Sequence, residues 1–174
     1  MRSSLRYAPL AEDAKMETLD QLQAVVKEWI DKCPDEMTAP VTPESLEGIY
    51  FFAFRFYQQG HYRQAESTFR MLSRLNAFEP KYWIGLGAAL QMQNKYSKAI
   101  ETYCAARLLD DKNSNPEPSL QSAICYFAQD QRKEGLRALD VAEQSAKHNH
   151  DQQTLEHIAL LKTVWSNEVN NKHK

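Results

Sequence analysis

Histidine and cysteine are the first residues to weigh for chemistry. His148-Asn149-His150-Asp151 sets two imidazoles at i and i+2 beside a carboxylate, donors of the right kind for a divalent ion. That spacing in a polar stretch is the spacing of solvated side chains, so no metal site is expected there. Cys33, Cys104 and Cys125 are odd in number and have no CxxC pair. They build neither a disulfide framework nor a zinc knuckle, and the expected state is reduced and mostly buried. Gly85-Leu86-Gly87-Ala88-Ala89-Leu90 opens like a dinucleotide fingerprint but lacks the third glycine and a preceding strand. No Ser-His-Asp, Cys-His or paired-carboxylate arrangement stands out from the scattered surface charge. The sequence therefore predicts neither an enzyme nor a cofactor. What remains is a concentration of aromatic side chains, Tyr50, Phe51, Phe52, Phe54, Phe56 and Tyr57. Their chemistry is the burial of apolar surface.

The elements that position these rings are helical. Apolar residues recur at steps of three and four, and no stretch alternates as a strand would, so the chain reads as all-α. Its 174 residues suit one compact unit or a short repeat array. With 21 Lys plus Arg against 23 Asp plus Glu, the net charge of −2 offers no attraction to a phosphate backbone or an anionic membrane. No nucleic-acid partner is expected. The run Ile49–Phe54 is far shorter than the roughly 18 to 20 apolar residues that span a bilayer, so direct membrane insertion is not expected either. Met1–Pro9 is basic but has no apolar core after it, and Glu12 and Asp13 follow at once. It does not read as a signal peptide, which predicts a cytoplasmic protein.

A repeat organises the rest. Gln59-Gly60-His61-Tyr62-Arg63-Gln64-Ala65 lies over Gln93-Asn94-Lys95-Tyr96-Ser97-Lys98-Ala99, with Phe69 and Tyr103 keeping the same 34-residue step. That period with this turn is the signature of a tetratricopeptide repeat, two antiparallel helices per unit. The predicted fold is an all-α superhelix of three helix pairs, at 46–79, 80–113 and, more degenerate, 116–149. A flexible N-terminus (1–14), an amphipathic helix (15–33) and a Pro-rich linker (34–45) precede them, and a capping helix with tail (150–174) follows. Thr42 is the expected N-cap of the first repeat helix, with Pro43 at its first position. Gly60 and Asn94 fall at turns that favour positive φ. Gly135 and Arg132 stand where the repeat wants Ala and Tyr. Leu155, Ile158, Leu161, Val164 and Trp165 are the expected inward face of the cap.

In such a stack the first helix of each pair lines the concave side. The inward positions are Glu47, Tyr50, Phe54, Tyr57 and Gln58 in unit one, and Lys81, Ile84, Ala88, Gln91 and Met92 in unit two. Where tetratricopeptide grooves that capture acidic C-termini carry Lys, Asn and Arg, this one carries Tyr50 and Phe54. It is built for an extended apolar segment, each buried side chain contributing roughly 1 to 3 kcal/mol. Tyr50 and Phe54 could equally pack against the chain's own N-terminal helix. A scaffold joining folded partners, and a chaperone of needle or filament subunits, are the alternative readings.

The N-terminal helix before a Pro-rich linker, the run Ile49-Tyr50-Phe51-Phe52-Ala53-Phe54-Arg55-Phe56-Tyr57-Gln58-Gln59-Gly60-His61-Tyr62 and then Tyr82-Trp83-Ile84-Gly85-Leu86-Gly87-Ala88 together resemble the class II chaperones of bacterial type III secretion. The resemblance runs from about Leu46 to Val164. It implies a cytoplasmic bacterial protein that holds hydrophobic translocator proteins soluble before export, by binding a proline- and leucine-containing segment. It also implies groove roles for Tyr50, Phe54, Tyr57, Leu75 and Tyr103, beside the frame-selected Ile84 and Ala88. Relatives often dimerise through the N-terminal helix, which extends that role to Leu22, Val26 and Trp29. The chain departs from the family at Leu72-Ser73-Arg74-Leu75-Asn76-Ala77-Phe78, where relatives often carry Cys and Asp-His.

Overall fold

The computed structural model describes residues 42–110, 112 and 114–171, with side chains described as far as Trp165. The predicted N-terminal helix, most of the linker, and Leu22, Val26, Trp29 and Cys33 lie outside the described residues. Within them are seven helices and no strand: α1 Pro43–Gln58, α2 Tyr62–Leu75, α3 Pro80–Gln91, α4 Tyr96–Leu108, α5 Glu117–Ala128, α6 Arg132–His148 and α7 Gln152–Asn171. Each packs on the helix before and after it, and the first helices also touch, α1 with α3 and α3 with α5. This is the stacking of a tetratricopeptide superhelix.

The helix ends follow from local chemistry. Thr42 caps α1: its Oγ1 accepts from the Ser45 N–H at 3.2 Å, and Pro43 needs no partner for a missing N–H. The turn inside each pair passes through one left-handed residue, Gly60 (φ 79°), Asn94 (φ 59°) and Asp130 (φ 58°), and His150 (φ 56°) makes the same move before α7. Glycine does this without strain; the others bear a Cβ in a disfavoured region. Asn94 has support, since its Oδ1 accepts from the Tyr96 hydroxyl at 2.7 Å.

Two cores form. The larger joins the first two helix pairs around Phe52, Phe56, Phe69, Leu72, Tyr82, Leu86, Leu90 and Tyr103, with Ala53, Ala65, Ala89 and Ala99 at the crossings and Cys125 reaching in from α5. The smaller joins α5, α6 and α7 through Leu120, Ala123, Leu139, Ala142, Ala146 and Ile158. Glycines let rings approach helix backbones: a Cβ on Gly87 would stand 2.6 Å from the Tyr103 ring, and one on Gly85 or Gly135 would collide with Phe69 or Phe127. Gly135, out of pattern by sequence, thus has a packing reason.

Two expectations need correction, and one neighbouring pair is worth separating. Val164 is 45% exposed rather than inward, because α7 turns Ile158, with Leu155, Leu161 and Trp165, onto α6 and α5 instead. Of the two described cysteines, Cys125 is buried but Cys104 is exposed. The core weight beside Trp83 is carried by Tyr82, which is 2% exposed, while half-buried Trp83 uses its Nε1–H to donate to the Ala77 carbonyl at 2.8 Å.

Candidate functional site: an aromatic face on the first helices

Tyr50, Phe54 and Tyr57 lie at i, i+4 and i+7 on α1, one stripe about 10 Å long. Tyr50 is half-buried. Its ring sits 5.9 Å from Phe69 in an edge contact and 5.9 Å from Tyr82, and Lys81 Nζ stands 5.0 Å from its centroid. Lys81 is paired with Glu47, its equivalent one repeat earlier, and that carboxylate, against some desolvation, raises the lysine pKa. One ion pair and one cation–π contact therefore hold the mouth between α1 and α3. Phe54 is 43% exposed, open to any partner. Tyr57 is half-buried, edge-on to Tyr62 at 5.6 Å; desolvation raises its hydroxyl pKa, with the nearby Tyr62 and Glu117 adding to the shift.

Ile84 and Ala88 are half-buried on α3, beside the α1 stripe. Ile84 also lines a cavity of about 370 Å³ with Pro80, Ala106, Leu109 and Pro118, where α3, α4 and α5 meet. Leu75 is half-buried at the last turn of α2. Tyr103 is placed differently. At 1% exposed it is a core residue lying under Gly87, and burial drives its hydroxyl pKa sharply up. Only its hydroxyl reaches the inner layer, donating to Gln91 Oε1 at 2.8 Å.

That bond begins a polar chain that pattern reading did not find. Gln91 Nε2 donates to Gln121 Oε1 at 3.1 Å, and Gln121 Nε2 donates to Glu117 Oε1 at 2.8 Å. The signal available was Gln91, already on the inward positions of unit two. Gln121 was hidden because the third repeat starts two residues late and falls out of the 34-residue frame. The chain ties α3 to α5 without strong electrostatics, and leaves the aromatic stripe as the apolar feature of the face.

Among the described residues, no group of three or more His, Cys, Asp and Glu is assembled, and no helix is long and apolar enough to cross a membrane. The site can bind apolar side chains and hydrogen-bond an extended backbone.

The tetratricopeptide repeat family profile matches residues 46–77 and 80–113. The low calcium response locus protein H of Yersinia pestis is 29% identical over 108 residues, covering 62% of this chain and 63% of that protein. The chaperone protein SicA of Salmonella typhimurium is 32% identical over 76 residues, 44% of this chain and 46% of SicA. The chain thus spans less than two thirds of the length of these relatives. Among solved structures, the type III secretion chaperone SycD of Yersinia enterocolitica, in complex with a peptide of the translocator YopD, superposes with a TM-score of 0.59 at 26% identity, covering 71% of this chain and 99% of that one. Repeat period, sequence relatives and shared superhelix agree: the chain is a tetratricopeptide-repeat superhelix similar in sequence and in fold to chaperones of type III secretion.

Proposed function

We propose that this protein is a cytoplasmic chaperone that holds a hydrophobic type III secretion translocator soluble and export-competent, by seating an extended apolar segment of it on the inner face of the superhelix. The observation that carries the reading is the α1 stripe, with half-buried Tyr50 and Tyr57 fixed by edge contacts and Phe54 left 43% exposed between them. The related SycD, solved with a translocator peptide, supports the choice of client.

Tyr50, Phe54 and Tyr57 form one wall, Ile84 and Ala88 the facing one, and Leu75 the margin. Tyr103 acts from below, holding Gln91 in place. Rings already ordered by neighbours lose little freedom on binding, so more of the burial energy appears as affinity. The role calls on no catalytic group and no nucleotide. Binding a membrane-active client lowers its free concentration by mass action, and this suffices to suppress aggregation and premature insertion.

The test is co-expression with candidate hydrophobic secreted proteins, reading client solubility and co-purification for the native chain and for Tyr50→Ala/Phe54→Ala. The expected result is that the native chain keeps one client soluble and the folded double variant releases it, with affinity down roughly 30- to 1,000-fold for two anchors. Equal retention by the variant sinks the groove assignment. Affinity only for folded proteins, with no effect on client solubility, makes the protein a scaffold instead.

A further inference from the structure

The hydrogen-bonded chain from Tyr103 to Glu117 has its sense fixed from one end. A carboxylate such as Glu117 can only accept, so Gln121 must turn its Nε2–H toward it, at 2.8 Å. That leaves Gln121 Oε1 to accept from Gln91 Nε2 at 3.1 Å, and Gln91 Oε1 to accept from the Tyr103 hydroxyl at 2.8 Å. Burial keeps that hydroxyl protonated and therefore a donor. Counted back nine residues from the equivalent turns at Asn94 and Asp130, the place of Gln121 in the preceding unit is Gly85. A Cβ there would collide with the Phe69 ring, so the first junction between units is apolar where the second carries amides.

A primary amide has two N–H donors and two acceptor lone pairs. Gln91 and Gln121 have each committed one of either kind to the chain, and among the described residues nothing takes the others. Both side chains are half-buried, so the remaining donor and acceptor of each meet water in the free protein. They lie beside the aromatic stripe: desolvation, then Tyr62 and Glu117, raise the Tyr57 hydroxyl pKa, so the carboxylate end of the chain stands close to the last ring of α1. One donor and one acceptor side by side on an oriented amide match a single residue of an extended segment, whose N–H and C=O point to the same edge. A helical segment has spent both groups internally. We propose that Gln91 and Gln121 read the backbone of an extended client beside Tyr57, one client residue giving its N–H to a glutamine Oε1 and taking an Nε2–H at its own carbonyl. This backbone contact rests on the groove reading above, and it excludes proline from that client residue, since proline has no N–H to give.

The test uses the full chain and the YopD peptide bound by the related SycD, made as a series in which one backbone amide at a time is replaced by an ester. An ester removes the N–H without adding bulk. In the native chain one position should cost about 3- to 10-fold in affinity, the loss expected for one hydrogen bond to an oriented partner. Gln91→Leu and Gln121→Leu should each bind the unmodified peptide about 3- to 10-fold more weakly. In both, the sensitive ester should cost less than about 2-fold, because each amide orients the other. Tyr103→Phe keeps the packed ring and drops only the hydroxyl that orients Gln91, so it serves where a leucine variant fails to fold. The ester penalty should shrink in it as well.

An ester series with no sensitive position overturns the backbone contact, and so does a sensitive position whose penalty is unchanged in all of these variants. If either occurs while Tyr50→Ala/Phe54→Ala still releases the peptide, the aromatic groove stands and only the role of the glutamines falls. A native chain that does not bind the peptide counts against the groove reading and overturns the backbone contact with it.

Discussion

The first two helix pairs and the region from α5 to α7 solve the same packing problem with different side chains. Phe52, Phe56, Phe69, Tyr82 and Tyr103 fill the first core, and alanines only mark where helices cross. The second core holds Leu120, Leu139 and Ile158 among three alanines, and its aromatic contact, Phe127 on Trp165, lies at its margin. Large rings hold helices in one register through many contacts, so a side chain projecting from them, such as Tyr50, is placed firmly. Small aliphatic residues bring backbones close but define less. The candidate groove stands on the aromatic half, and the half that follows the repeat less closely caps it.

The comparison breaks most visibly by cavity formation. Phe69→Ala removes a ring wedged against Gly85 and Tyr50 and should cost about 3–5 kcal/mol. Leu139→Ala, in the second core, should cost about 2–4 kcal/mol. Urea unfolding gives both values, and in a stack coupled only through neighbours the Leu139 variant should lose α5 to α7 first while far-UV signal from α1 to α4 persists. A single shared transition in both variants would show that the two cores melt as one.

Acid should loosen both halves through matched ion pairs. Partial burial opposes ionisation of Glu66, yet hydrogen bonds from Lys95, Arg70 and Gln93 outweigh it and hold its carboxyl at about 2. Glu143 is held at about 2 by Lys147 and Lys162, the latter reaching over from α7. A folded value below the ordinary 4.5 means stability present above about pH 4.5 and lost as pH falls towards 2. Thermal midpoints at pH 6 and pH 3 should therefore fall by several degrees in the native chain. The drop should be smaller in Glu66→Gln and in Glu143→Gln; an unchanged drop in both would remove these pairs from the acid response.

The smallest expected effect separates the turns. His150→Gly relieves a left-handed residue and should stabilise by about 0.5–1 kcal/mol. Asn94→Gly should gain less, because it also forfeits the hydrogen bond from the Tyr96 hydroxyl. Equal gains in urea titrations would mean that bond contributes nothing.

Much of this molecule was legible because a tetratricopeptide repeat is local. Each unit packs on its neighbours, so a 34-residue period, alanines at the crossings and Gly60 or Asn94 at the turns determine helix pairs and their stacking. The period also placed Tyr50, Phe54 and Tyr57 on one inner stripe, since helical geometry alone puts i, i+4 and i+7 together. Which side chains then end inside depends on contacts between units. That is why Tyr103, read as groove-lining, is a core ring under Gly87, why Tyr82 rather than Trp83 fills the interior, and why Val164 faces outward. The chain from Tyr103 through Gln91 and Gln121 to Glu117 needed the tertiary structure for the same reason. Its members come from three helices, and a hydrogen bond between them depends on approach distances of a few ångströms that no periodicity encodes.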